Sequence, residues 1–279
     1  MEWLEDVIGR DPGGRGVAGL RVPGDLRRAA HVLAGARRVL LITGFAVGPA
    51  GVAETDGPPG TLLSRRALAH LGKDIIFATH PSCQPVMAAG IERLALDAPL
   101  EVLGRGESPA AILARQVPDA IVAIELPGRS ADGEYYNMRG ESITRKTTPL
   151  DGLLPLASER GIPTVAVGDG GNEAGMGKVI EQVRAVVRGG HKIASVVAAD
   201  YLIAAGTSNW GCYGLVAALD QGLLPQPQEE ADLIASLVAV GALDGVRLKP
   251  ETTVDGIDAD RYQQPLVELR TQAAKLMAG

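Results

Sequence analysis

The chain has 279 residues, of which 46% are hydrophobic and 22% charged, so it can bury a sizeable core and lacks the composition of a disordered protein. Its 27 basic and 33 acidic residues give a net charge of −6, which argues against nucleic acid or an anionic membrane as a partner. With two cysteines, no apolar run near the roughly 18 residues of a membrane span and no secretory signal, we expect a soluble cytoplasmic protein without a disulfide framework.

Short apolar runs alternate with longer amphipathic stretches along the chain. Each run is almost continuously apolar, which is typical of a strand covered on both faces, and the predicted strands are residues 37–44, 73–79, 119–125 and 162–168. The amphipathic stretches predict helices over residues 59–71, 85–96, 108–116, 149–160, 176–188 and 260–278. This alternation predicts a three-layer, doubly wound α/β fold of Rossmann-like type, with a mostly parallel sheet and helices on both faces. The functional loops are then expected at the carboxyl ends of the strands.

No break in composition divides the chain, so we expect residues 1–279 to form a single domain, in which 222–279 could be a small helical subdomain. Residues 222–229 are expected to be an exposed connector. Residues 127–149 are polar and glycine-rich, with no evident helix or strand. Because connections in compact domains are usually shorter, we expect this insertion to be a functional loop.

The loop after the fourth predicted strand has the strongest signal for chemistry. Asp169, Asn172 and Glu173 offer oxygen ligands of the kind that Mg²⁺ or Mn²⁺ prefers. Gly170 and Gly171 would let the backbone approach a bound ligand closely. The alternative is a glycine turn whose polar side chains only cap the next helix. The spacing is neither a dinucleotide fingerprint nor a P-loop, so no nicotinamide or flavin cofactor is expected.

Two further acidic residues, Glu54 and Asp56, follow the first predicted strand. They are two positions apart, so an extended segment would turn both toward one site. Pro58 and Pro59 then fix the turn into the next predicted helix. The two acids are candidate metal ligands, and the alternative is a rigid turn with solvated carboxylates.

Cationic residues follow the third predicted strand, which ends at Glu125. A charged group at the end of a buried strand needs a partner or a function. Arg129 and Arg139 could each bind a carboxylate through two parallel hydrogen bonds, which favours an amino acid or another small carboxylate as the ligand. Arg145 and Lys146 could equally belong to a solvated basic loop.

Hydroxyl and amide side chains are grouped at Thr207, Ser208 and Asn209, before an aromatic residue and a glycine. They could form a hydrogen-bonding edge of a site, and the alternative is a cap at the start of a helix. His80 is the one histidine at a predicted strand end, and Cys83 is expected to be a small thiol that is buried or at the rim of the site.

These loops resemble the carboxy-terminal domain of the D-glutamate cyclase family. The matching segments, in chain order, are LITGF (41–45), ETDGPPG (54–60), LPGR (126–129) with YNMRG (136–140), GDGGNE (168–173) with GMG (175–177), and TSNWG (207–211). The resemblance implies reversible dehydration of D-glutamate to 5-oxo-D-proline, or action on a related small amino acid. In larger family members a separate amino-terminal domain precedes this region, so such a domain is one partner to be expected. Enzymes of this size are often homodimers, so a second copy of the chain is the other.

The resemblance does not assign residue roles, so the roles follow from the chemistry of ring closure. The amine attacks the side-chain carboxyl carbon while an oxygen leaves, which calls for a Lewis acid, an oxyanion donor and a proton acceptor. The predicted ligands of a divalent cation are Asp169, Asn172, Glu173, Glu54 and Asp56. The predicted catalytic residues are Asp169, Glu173, Glu125 as the acceptor of the amine proton, and Arg139 as a carboxylate clamp. The predicted substrate-binding residues are Arg129, Asn137, Thr207, Ser208, Asn209, Gly170 and Gly171.

Two other classes of function stay open. The acidic glycine loop is similar to the Mg²⁺-binding loop of haloacid-dehalogenase-type phosphatases. Those enzymes need an Asp-x-Asp motif at the end of the first strand, and residues 42–46 contain no aspartate, which argues against them. The other class is a non-catalytic module that binds a small acid or a nucleotide and acts with a separate partner protein.

Overall fold

The computed structural model describes residues 2–278 and is built around a parallel β-sheet. In chain order the strands are β1 (Arg38–Thr43), β2 (Ala46–Val47), β3 (Val52–Ala53), β4 (Asp74–Thr79), β5 (Leu100–Val102), β6 (Ala120–Ile124), β7 (Thr164–Gly168) and β8 (Tyr201–Ala204). β2 and β3 pair as a short antiparallel hairpin, and the other six form the sheet in the order β5-β4-β1-β6-β7-β8. The chain therefore winds outward from β1 in one direction and from β6 in the other, which confirms the predicted doubly wound fold.

Helices cover both faces of this sheet. Within the described residues they are α1 (Glu2–Ile8), α2 (Asp25–Gly35), α3 (Pro58–His70), α4 (Gln84–Arg93), α5 (Pro109–Gln116), α6 (Leu153–Glu159), α7 (Ile180–Val186), α8 (Gly190–Ile193), α9 (Ser208–Leu219), α10 (Pro227–Ala239) and α11 (Ala259–Ala278). None of them is both long and apolar enough to cross a membrane.

The two faces of the sheet explain why its inner strands are almost continuously apolar. Val39 and Leu41 pack in one apolar cluster with α1 to α4 and α9 to α11. Leu40 and Ile42 point the other way and pack with α5 to α8. Because side chains alternate along a strand and both faces are covered, every position of β1 after Arg38 is buried.

The region after residue 222 contributes α10 and α11 to the first of these clusters, so its helices share a core with α1 to α4 and α9. The expectation of an exposed connector over 222–229 is wrong in part. Leu224 is buried, and α10 already begins at Pro227, which is a favoured residue for the first position of a helix.

Two predicted helices begin later than expected. α6 begins at Leu153 because Asp151, in the preceding turn, accepts hydrogen bonds from the Arg129 N–H and the Tyr135 hydroxyl. α7 begins at Ile180, after a turn of 3₁₀ helix, because the N–H groups of Gly175 and Gly177 donate to the carbonyl oxygen of Val197 instead of starting a helix.

The insertion at 127–149 contains no helix or strand in the described structure, as predicted, but it is held in place by side chains. Tyr135 and Ile143 pack with Phe45, and Tyr136 forms an isolated bridge with Ser142. This packing holds the insertion next to the carboxyl ends of the central strands.

Candidate active site

A cavity of about 200 Å³ is formed by residues that follow the carboxyl ends of β1, β6 and β7. The strand order reverses between β1 and β6, and ligands of open α/β sheets bind at such a reversal. The insertion contributes Asn137, Met138 and Arg139 to the wall. The lining is strongly acidic, with five carboxylates from Glu54, Glu125, Asp169, Glu173 and Asp255.

Three buried carboxylates converge beside this cavity, and two of them, Glu125 and Asp169, line it. Asp56 precedes α3, Glu125 follows β6 and Asp169 follows β7. One oxygen from each lies within 4.8 Å of the others, and none of the three residues is more than 5% exposed. Parallel strands end at the same edge of a sheet, which brings together groups that are far apart in sequence. The structure therefore joins two of the predicted metal ligands with the predicted proton acceptor.

Asp56 is held by the first residues of α9. Its carboxylate accepts hydrogen bonds from the N–H groups of Ser208 at 2.6 Å and Asn209 at 2.8 Å. The Asn209 side-chain oxygen in turn accepts from the N–H groups of Gly57 and Gly60, at 3.0 and 2.8 Å. These contacts fix the turn before α3 against α9, because a helix N-terminus favours a negative charge.

Arg15 brings a cation into the cavity that the sequence analysis did not find. Its Nη2 atom donates to Asp169 Oδ2 at 2.6 Å, to Asp255 Oδ2 at 3.1 Å and to the Gly206 carbonyl at 2.8 Å. The loop that carries it is shaped by Asp11, which accepts from the N–H groups of Arg15 and Gly16. Arg15 lies in a glycine-rich turn far from any predicted strand, so no pattern in the sequence indicated that it belongs to the site.

Asp255 was also missed, and it belongs to an irregular segment over residues 244–258 that covers the cavity. Asp244 is fully buried and organises this segment. Its two carboxylate oxygens accept from the N–H groups of Val246, Arg247 and Gly256 and from the Thr253 hydroxyl. The sequence shows only scattered polar residues here, because the order comes from one internal side chain.

Burial sets the electrostatics of the site. It raises the pKa of four carboxyls, those of Glu54, Asp56, Glu125 and Asp169. Repulsion between neighbouring carboxylates raises these pKa values further, whereas Arg15 lowers that of Asp169. For Asp56 the balance gives a pKa of about 8 despite its two N–H donors. At neutral pH such a cluster keeps protons unless a cation takes their place.

Glu173 shapes its own loop. Its carboxylate accepts from the N–H groups of Gly170 and Gly171, both at 2.8 Å, so the two amides predicted to approach a ligand are already paired. Asn172 donates from its amide nitrogen to the Tyr136 carbonyl, and its Oδ1 is buried without a hydrogen-bond partner in the described structure. Both residues line the cavity.

The two predicted carboxylate clamps lie in different places. Arg139 lines the rim of the cavity, is exposed, and donates to the Val246 carbonyl at 2.5 Å. Arg129 pairs with Asp151 at 3.0 Å and does not line the cavity. Asn137 lines the wall, but its side chain hydrogen-bonds within its own turn.

The side chains of Thr207, Ser208 and Asn209 at the start of α9 hydrogen-bond to the residues around the site and do not face the cavity. Thr207 caps the helix by accepting from the Trp210 N–H at 3.2 Å. Ser208 donates from its hydroxyl to Glu125 Oε2 at 2.6 Å, and Asn209 is occupied by the turn before α3. None of the three lines the cavity.

His80 and Cys83 form a buried pair next to β1. The His80 Nε2 atom lies 3.2 Å from the Gly44 carbonyl oxygen and 3.3 Å from the Cys83 sulfur. Burial lowers the pKa of His80 and raises that of the Cys83 thiol. A buried thiol with a raised pKa has little thiolate character, and Cys83 is of the buried kind predicted from the sequence.

The fold and this cavity define a three-layer α/β protein with an acidic cavity at the reversal of its strand order. Over residues 4–270 the chain matches the family described as D-glutamate cyclase-like, C-terminal, and it belongs to that family. It is 40% identical over 234 residues to the human protein named D-glutamate cyclase, mitochondrial. The aligned region covers 77% of this chain and 38% of the human protein, so the chain spans less than two fifths of that relative's length.

Proposed function

We propose that this chain catalyses the reversible dehydration of D-glutamate to 5-oxo-D-proline, or the same ring closure on a related small amino acid. The observation that carries the proposal is the convergence of Asp56, Glu125 and Asp169, of which the last two line a cavity of about 200 Å³, in a chain of this family. The cavity is smaller than the roughly 300–1,000 Å³ of drug-sized pockets, which suits a ligand with about ten heavy atoms.

The residues present fit a divalent cation such as Mg²⁺ or Mn²⁺. Hard cations take carboxylate and carbonyl oxygens, and Asp56, Glu125 and Asp169 offer three carboxylates within 4.8 Å. A further oxygen, Asn172 Oδ1, is buried without a hydrogen-bond partner in the part of the chain that the structure describes. When bound, such a cation would polarise the reacting carboxyl group.

In the reaction the amine nitrogen forms a bond to the side-chain carboxyl carbon, a carbon–oxygen bond breaks, and one water leaves. The acceptor of the amine proton predicted from the sequence is Glu125, which is one of the three converging carboxylates and accepts from the Ser208 hydroxyl. Glu54 is the better candidate for this role, because it lines the cavity and its Oε1 has no hydrogen-bond partner among the described residues. The ionised form of Glu54, which a cation held by the three carboxylates would favour, can take the proton from the attacking amine.

The phosphatase alternative gains no support from the structure. β1 ends at Thr43 and is followed by Gly44 and Phe45, so no carboxylate stands at the position of a phosphate-accepting aspartate. The binding-module alternative is retained as an outcome of the test, since the chain spans only 38% of its human relative.

The test is to incubate the purified chain with D-glutamate, L-glutamate or 5-oxo-D-proline, with and without Mg²⁺ or Mn²⁺. Chiral chromatography with mass detection then follows the loss or gain of one water. We expect interconversion in the D series that requires a divalent cation. Absence of turnover, with a melting temperature that D-glutamate still raises, would show a binding module and overturn the proposal.

Replacing Asp169 by asparagine removes a charge from the cluster at nearly constant shape. We expect Asp169→Asn to lower turnover by roughly two orders of magnitude. Asp232→Asn is the matched control, because Asp232 is an exposed acid on α10. Unchanged turnover in Asp169→Asn, with normal folding, would remove this residue from the site.

A further inference from the structure

Arg15 has more hydrogen-bonding capacity than the protein uses. All three of its side-chain hydrogen bonds fall on Nη2, and its Nε is buried without a partner among the described residues. A guanidinium carries five N–H donors, of which Nη2 holds two. The N–H groups of Nε and Nη1 therefore make no hydrogen bond in the described structure, although the side chain is only 15% exposed.

Leaving a buried donor unpaired is unfavourable, and in binding sites such donors are usually satisfied by the ligand. Arg15 lines the cavity, and its position is fixed from two sides by Asp169 and Asp255. The ligand that matches a fixed guanidinium is a planar anion that accepts two hydrogen bonds, such as a carboxylate.

The other arginines offered for this role are less suited to it. Arg129 is committed to Asp151 away from the cavity, and Arg139 is exposed at the rim, where water competes for its donors. Of the two arginines that line the cavity among the described residues, Arg15 is therefore the less exposed.

We propose that Arg15 binds the carboxylate of the substrate that does not react, an inference that rests on the proposed function. A guanidinium beside the reacting carboxyl would hold that group in its anionic form, which is the poorer electrophile. The other carboxylate is present in D-glutamate and is retained in 5-oxo-D-proline. A contact to it is kept through the whole reaction, so it contributes to binding and not to the chemical step.

The test compares 5-oxo-D-proline with 2-pyrrolidinone, which is the same ring without the carboxylate. Dissociation constants are measured by calorimetry or competition for wild type, Arg15→Gln and Arg10→Gln. Arg10 is the matched control, because it lies in the same part of the chain and pairs with Glu268 at the surface. We expect wild type and Arg10→Gln to prefer 5-oxo-D-proline by about 10- to 100-fold, and Arg15→Gln to lose that preference.

For turnover of D-glutamate we expect Arg15→Gln to raise KM by a similar factor and to change kcat little. If Arg15 only supports Asp169 and Asp255, the variant will weaken both ligands equally and keep the preference, which overturns the proposal. A wild-type protein that binds the two rings equally well also overturns it, even if Arg15→Gln does not fold. If the wild-type protein turns over neither D-glutamate nor 5-oxo-D-proline, the proposed function itself is wrong, whatever the variants show.

Discussion

At the scale of single residues, Gly57 controls how closely the three carboxylates can approach. Its φ of +91° lies in the region that favours glycine, and a Cβ there would lie 2.6 Å from the Cβ of Glu125. Glu125 itself has a φ of +44°, which is uncommon for a residue with a side chain. The turn before α3 and the end of β6 therefore fit together only because one of them lacks a side chain.

Glu230 gives a prediction on stability at this scale. It lies on α10, is buried, and accepts hydrogen bonds from the hydroxyls of Tyr213 on α9 and Tyr262 on α11. Burial raises its pKa to about 7, and both tyrosines keep their protons because burial raises their pKa values too. A pKa that is raised on folding stabilises the protein below the unfolded value, and this stabilisation is lost as the pH rises through the folded value.

We therefore expect Glu230→Gln to be close to wild type in unfolding free energy near pH 4.5 and more stable than wild type by up to about 3 kcal/mol above pH 7. Glutamine resembles the protonated acid and does not titrate. Urea unfolding at a series of pH values measures the free energy of unfolding of both proteins. The cavity acids titrate in both, so their contribution cancels in the difference. A difference that does not change with pH would contradict the raised pKa.

At the scale of elements, the buried strands could be predicted and the edges could not. β1, β4, β6 and β7 are covered on both faces for most of their length, so their sequences are continuously apolar. β5 has three half-buried residues at the edge of the sheet and was missed, as was β8 at the opposite edge. These strands span only three and four residues, and an apolar run of that length does not distinguish a strand from part of a helix.

The range of the contacts also decides which residues of the site could be predicted from the sequence. Glu125 and Asp169 were predicted because each directly follows a buried strand. Arg15 and Asp255 lie in irregular segments whose positions depend on contacts across 154 and 240 residues. Local sequence carries no information on contacts of that range, so neither Arg15 nor Asp255 could be predicted. The pairing of Arg129 with Asp151 could not be predicted for the same reason.

The segment over residues 244–258 gives a prediction on local order. Asp244→Asn leaves one acceptor oxygen where the carboxylate has two, so the hydrogen bonds from Thr253 and Gly256 are weakened. We expect a loss of about 1–3 kcal/mol in unfolding free energy and faster amide exchange confined to this segment.

Hydrogen exchange with mass detection measures this, with Asp258→Asn as the control because Asp258 is 77% exposed in the same segment. Equal protection in the two variants would show that Asp244 does not organise the segment.

At the scale of the whole molecule, cation binding and folding are coupled. The converging carboxylates repel one another when ionised, and they come together only in the native state. A divalent cation that binds the native state alone must therefore raise the melting temperature. We expect Mg²⁺ or Mn²⁺ to stabilise wild type and Asp232→Asn in a concentration-dependent way, and a chelator to reverse the effect.

Asp56→Asn and Asp169→Asn should lose most of this stabilisation, since each removes one of the converging carboxylates. Thermal unfolding over a range of cation concentrations tests this. A melting temperature that rises equally in all four proteins would place the cation elsewhere on the surface.

The contact of Arg15 with Asp255 has a consequence for how the protein is made. Synthesis proceeds from the amino terminus, so Arg15 leaves the ribosome long before Asp255 does. A chain that ends after β8 already contains all the strands and four of the five lining carboxylates, yet it lacks the segment over residues 244–258 that covers them. The cavity can be closed only once nearly all of the chain has been synthesised, and a prematurely terminated product is left with an open acidic cluster.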